Sequence, residues 1–324
     1  RLLFTIPLRP LQGDRFQPTG FPSLGAAKYR TKDGEKLLVE SVQSMANRLE
    51  ATCWDTTRDA PIAALDGISH VTVTRGGNFL TDTMLEAHRL NSPYLLEGQK
   101  NPPFLKVLQD ELGVNDLEPI DRRKLAEVLL KYDVGSLIHG VFLAKSSLAG
   151  GRLRVSRALA VFIEATGIEV AQSGGVKNDH FHPGKVTGDS KNHFGNIPFA
   201  RDEFVADRID CYVNLDLVQI RGYGLGEKVE RLLILLSLHR LRKLLDGDLR
   251  LRTACDLCPV DIESVRATSP SGYRLPSLVT LEKAVKESIS KTKPRMSVSS
   301  YEFNGNLKAA KETSEDPSDD EFEE

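Results

Sequence analysis

The segment Glu227–Leu245, EKVERLLILLSLHRLRKLL, reads as a long helix and constrains the fold more than any other stretch of the chain. A strand-like run, Ile209–Ile220, precedes it, and two more, Arg250–Val260 and Ser264–Ala267, follow it. A helix with an apolar face set between strands needs a sheet to cover. The opening of the chain repeats that order. Leu2–Leu8 is an apolar run ending at Pro10, read as a buried strand, and a loop rich in Gly, Pro and Arg follows. LLVESVQSMANRLEATCW then places Leu38, Val42, Met45, Leu49 and Cys53 at helical spacing, and Ile68–Thr74 alternates as a strand. Two strand–helix–strand sets point to an α+β fold with a ferredoxin-like core, similar to an RNA-recognition motif.

Between the two sets, residues of about 75–135 read as a helical insertion, with helices within Asp82–Leu96, Pro103–Leu112 and Asp121–Tyr132. Ser136–Ala144 reads as a buried strand. Arg152–Ala165 and Gly167–Ala171 read as two strands joined by a tight turn at Thr166–Gly167. Apolar periodicity stops over residues 173–201, which predicts a mobile loop long enough to carry function. Leu278–Lys291 is a closing helix. Residues 1–295 are thus expected to form the folded body, and 296–324 a disordered acidic tail. The net charge of −2 conceals an asymmetry: from Glu312 onward there are eight acidic residues and no basic one, so the rest of the chain is about +6. A basic body concentrates polyanions, and an acidic tail competes for the same surface.

Several function classes are disfavoured. No apolar stretch is long enough to span a bilayer, and none has the order of a signal peptide, so the cytoplasm is the expected compartment. Of Cys53, Cys211, Cys255 and Cys258, only Cys255 and Cys258 have metal spacing, and the second pair of a closed zinc site is missing. Nucleophile elbows, His-Glu-X-X-His pairs and kinase motifs are absent. The expectation is a protein without catalytic activity, metal or cofactor.

Three segments carry binding chemistry. The helix after Val39 shows Glu40, Ser41, Gln43, Ser44, Asn47 and Arg48 away from its apolar stripe, a set of hydroxyls, amides and a guanidinium suited to phosphate and sugar oxygens. Gly222, Gly224 and Gly226 form a turn that lets backbone approach a phosphate, without dinucleotide or P-loop spacing. The 173–201 loop interleaves Lys177, Lys185, Lys191 and Arg201 with Phe181, Phe194 and Phe199, the pattern for holding single strands. The same loop leaves two alternatives open. His180 or His182 would serve as the acid/base of an RNA-cleaving site (a guide-processing endonuclease under the resemblance described next), and Asp179, His180, His182 and His193 would serve a metal-dependent hydrolase.

The stretches RFQPTGFPSLGAA, LLVESVQSMANRLEATCWD, GNFLTDTMLEAHRLNSPYL, SLIHGVFLA, RLRVSRALAVFIEATGIE and SGGVKND resemble the backbone subunits of type I-G (formerly I-U) CRISPR Cascade, in the Cas-seven group of the RAMP superfamily. The resemblance implies an RRM-like core with an inserted thumb, near Arg75–Thr81 or residues 173–201. Copies would stack head to tail along guide CRISPR RNA and present it to a target DNA strand. Large and end-capping Cascade subunits and a recruited helicase-nuclease would be further partners. Asp14 stands in a loop where related type III subunits cut RNA, and no catalysis is assigned to it. The implied RNA contacts are Arg15, Gln17, Ser41, Gln43, Ser44, Asn47, Arg48, Arg75, Asn78, Arg154, Arg157, Lys177, Asn178, His180, Gly222, Gly224 and Gly226.

Overall fold

The computed structural model describes residues 1–21, 25–98, 100–113, 119–177, 197–247 and 249–307. The chain opens with β1 (Leu2–Pro10), a hairpin of β2 (Lys28–Thr31) and β3 (Gly34–Glu40), and helix α1 (Val42–Ala51). A second hairpin, β4 (His70–Arg75) and β5 (Asn78–Asp82), precedes helices α2 (Pro103–Leu112), α3 (Arg122–Tyr132) and α4 (Val134–His139). A short ribbon, β6 (Val141–Leu143) and β7 (Leu153–Val155), leads into the long strands β8 (Leu159–Lys177) and β9 (Ile197–Leu215). Helices α5 (Leu217–Gly222) and α6 (Glu227–Asp246) follow, then β10 (Leu249–Arg252), β11 (Cys255–Pro259), β12 (Arg266–Ser269) and β13 (Ser271–Arg274). Helix α7 (Leu278–Thr292) and β14 (Val298–Glu302) complete it.

The architecture is α+β. The main sheet runs β10-β11-β1-β9-β8-β3-β2, and β12 continues beside β1 where β11 leaves it. All these pairings are antiparallel. Alternation along β1 buries Phe4, Ile6 and Leu8 on the face against which the helices pack. Each such side chain contributes about 1.5–3 kcal/mol by leaving water. Helix α1 packs on β8 and α6, and α6 also meets α4, α5 and α7.

Several elements differ from the sequence reading, each for a local reason. The helical period extended back to Leu38 meets a strand instead: Leu37 and Val39 are buried in alternation, and Ser41, extended at φ −81° and ψ 159°, caps a helix that starts at Val42. Ser136–Ala144 is not one strand. Asp133 accepts from the Gly135 amide and the Ser136 hydroxyl, which starts α4. Asp216 likewise ends β9 at Leu215 by capping α5.

Thr166–Gly167 is not a turn. The ladder keeps its register, Thr166 against Arg208 and Ile168 against Ala206. Gly167 has φ +62°, and a Cβ there would stand 2.0 Å from Asp207 Oδ2, so the position calls for glycine inside a strand that runs on. The loop expected over 173–201 is shorter than read, because Ser173 pairs with Arg201 and Lys177 with Ile197. The boundary at 295/296 fails too: β14 pairs in parallel with β4, and Phe303 is fully buried against Tyr94.

Candidate nucleic-acid interface

Arginines gather where α1, α3, α5 and the β6–β7 ribbon meet. In the sequence RLRVSR, period-two alternation puts Arg152 and Arg154 on the outer face of β7 and its entry, and Arg157 follows the strand. Gly140 makes this geometry possible. At φ +81° it brings the chain so close to the end of β7 that a Cβ would stand 2.9 Å from the Val155 carbonyl oxygen and 3.1 Å from the Arg157 nitrogen.

Two depressions adjoin across β7. One, of about 650 Å³, is lined by Gln43, His88, Arg89, Asn91, His139, Gly140, Phe142 and Arg157 together with Arg154, Val155 and Ser156. The other, of about 700 Å³, shares Arg154, Val155 and Ser156 and continues to Arg122, Arg152, Gln219, Gly222 and Tyr223. Among the described residues, no carboxylate lines either one. Several guanidiniums on adjoining walls set up a positive field that favours an anion.

The groove is anchored from beneath. Arg89 donates to both oxygens of Glu50 on α1 and, through Nη1, to the Gly140 carbonyl at 3.4 Å. Arg240 of α6 approaches the same carboxylate at 3.7 Å, and all three side chains are buried. Burial pushes the Glu50 carboxyl up, against the pull of Arg89 and Arg240. On the rim, Arg157 donates to Gln43 Oε1 at 2.6 Å and to the His139 carbonyl at 3.3 Å. Gln43 in turn donates to Asn47 at 3.3 Å. Burial, with Arg240, Arg89 and Arg157 around it, holds the His139 imidazole well below its ordinary range. Among the described residues, exposed Arg154 has no hydrogen-bond or ion-pair partner, which leaves its guanidinium open to a ligand.

Of the residues expected to meet RNA, the groove therefore brings together Gln43, Arg154, Arg157 and Gly222, with Asn47 held beside it by Gln43. Gly224, at φ +65°, lies beside the Arg123 side chain, and Gly226 leads into α6. Ser41 is spent on its cap, accepting from the Ser44 amide at 3.2 Å. Arg48 turns away, donating to Glu40 and to the Arg250 and Leu251 carbonyls. Gln17 lies in a separate depression of about 410 Å³ with Thr19, Arg201 and Arg252, and Arg15 is exposed on the same loop.

Arg75 and Asn78 sit at the tip of the β4–β5 hairpin, where Arg75 covers the Phe303 ring at 4.9 Å. Lys177 ends β8, whereas Asn178, His180, His182 and His193 lie outside the described residues. Sequence reasoning missed Arg122, Arg152, Phe142, His88 and Tyr223. The alternation in RLRVSR was the available signal for Arg152. Among the described residues no cluster of three or more metal-ligating side chains forms, and no helix is long and apolar enough to cross a membrane.

No curated protein matches the chain. Among solved structures, one chain of a CRISPR RNA-guided surveillance complex (pre-nicking) is similar at 14% identity and a TM-score of 0.41, over 80% of this chain and 74% of its own. Csc2 of Thermofilum pendens is similar at 10% identity and a TM-score of 0.32, over 90% and 76%. Likenesses this distant carry no argument about fold or function. The family described as CRISPR-associated protein GSU0053 matches residues 2–170, more than half of the sequence. The chain belongs to that CRISPR-associated family.

Proposed function

We propose that this chain is a non-catalytic backbone subunit of a CRISPR surveillance complex, which polymerises along guide RNA and presents it to a target DNA strand. The observation that carries the reading is the groove across β7, where exposed arginines line two adjoining depressions with no carboxylate among the described lining residues. Phosphate contacts of this kind give salt-dependent affinity without sequence preference, which a carrier of variable guides requires. Sequence would then be read by base pairing.

The strand order β11-β1-β9-β8, with α1 following the β2–β3 hairpin and α6 connecting β9 to the β10–β11 hairpin, supports a ferredoxin-like core. The ribbon of β8 and β9 that continues past Thr166, where β3 ends its pairing, is the better thumb. The alternative hairpin tip at Arg75 is tied to Glu302 and Gly305. Cytoplasmic location and the large, end-capping and helicase-nuclease partners belong to the same proposal. Purification without nuclease tests it: RNA should co-purify in a ladder of protein multimers that collapses on RNase treatment. Nucleic-acid-free monomer from cells expressing a CRISPR array would overturn it.

A further inference from the structure

Phe142 places a large apolar ring on the outer face of the β6–β7 ribbon. Its neighbours Val141 and Leu143 are buried, yet the ring points outward with 52% of its surface exposed. It lines the first depression, and its direct cross-strand partner is Arg154. Opposed residues of an antiparallel pair project from the same face, with Cβ atoms roughly 4.5–5.5 Å apart. The ribbon therefore presents side by side an open aromatic ring and a guanidinium without a partner among the described residues, in a depression that no described carboxylate lines. An exposed phenylalanine costs solubility without adding to the core, whereas a ring beside a cation is what a nucleobase and its phosphate require together.

We infer that Phe142 and Arg154 form a stacking platform for one unpaired base of single-stranded RNA, with Arg154 on the adjoining phosphate. The inference rests on the groove being the RNA site and adds the base contact to it. Stacking on a ring is sequence-tolerant, because every base has a π-face. The platform therefore fixes the position of a nucleotide along the groove without reading its identity.

The test uses the full chain and short oligouridines that each carry one 2-aminopurine, titrated at fixed salt. Wild type should change the 2-aminopurine fluorescence most strongly at one position. Phe142→Ala should lose that change and bind roughly 5- to 150-fold more weakly, whereas Phe142→Tyr should keep both. Its affinity should fall with salt as steeply as that of wild type, because no phosphate contact is removed. If Phe142→Ala binds with unchanged affinity and fluorescence, the platform is wrong and the groove stands. If wild type binds no oligonucleotide, the groove reading fails and the platform with it. If Phe142→Ala weakens only self-association without RNA, the ring faces a protein and the platform is overturned.

Discussion

Glu50 carries an unusual electrostatic burden for one side chain. Its carboxylate answers two buried guanidiniums, those of Arg89 and Arg240, and through Arg89 it holds the Gly140 carbonyl under the groove. Removing one member of such a group leaves an uncompensated buried charge, which costs about 3–5 kcal/mol. Glu50→Gln should show that loss in urea unfolding, and a change below about 1 kcal/mol would mean that the arginines find other partners.

His239 sets a pH dependence. It is fully buried, neither ring nitrogen has a partner among the described residues, and burial pushes its pKa down to about 4. The unfolded value is about 6.5, so on acidification the unfolded chain takes up the proton first. Stability should be complete above about pH 6.5 and fall progressively towards pH 4. His139, shifted in the same direction, adds to it. His239→Leu should narrow the difference in melting temperature between pH 7.5 and pH 5, and an unchanged difference would remove His239 as a source. Neither residue's role was legible in the sequence. A polar side chain can be named from sequence, but whether it is spent inside, as Arg48 is on Glu40, depends on a contact with β10 some 200 residues away.

At the scale of elements, the long helix α6, the opening strand and α2 appear where apolar period predicts them, because burial on one face decides them. The errors fall where a cap or a glycine overrides that pattern. Asp133 and Asp216 start short helices inside runs that alternate like strands, and Gly167 reads as a turn yet sits in a continuous ladder. The C-terminal strand was hidden by a low-complexity end: β14 is held by parallel pairing to a hairpin more than 220 residues earlier in the chain.

Two glycines of the groove should respond differently to the same change. Gly140, with φ +81° and a Cβ position 2.9 Å from a backbone oxygen, has no room for alanine. Gly140→Ala should cost about 1–3 kcal/mol of stability and displace Arg157, weakening RNA binding. Gly222, flagged by the sequence as a phosphate turn, has nothing within 4 Å of its Cβ position and no positive φ. Gly222→Ala should be close to neutral in stability, and comparing the two unfolding midpoints checks the distinction.

The whole molecule separates its charge. The described body carries the arginine groove, and the acidic residues from Glu312 onward stand apart in sequence. Much of the candidate site was legible as residue types: Gln43, Arg154, Arg157 and Gly222 were named from sequence, and the fold brings them to one groove. What composition could not convey is that guanidiniums from separate elements share these walls, since that depends on which elements meet across β7. The direct measurement is the salt dependence of binding to single-stranded RNA, for wild type and for a variant carrying Arg122→Ala and Arg154→Ala. Both arginines are exposed, and among the described residues neither is needed for an ion pair within the chain. If the groove holds RNA phosphates, the plot of log affinity against log salt should become shallower by about 1.4, or about 0.7 for each lost phosphate contact. Parallel lines for the two proteins would contradict the account and place the RNA elsewhere.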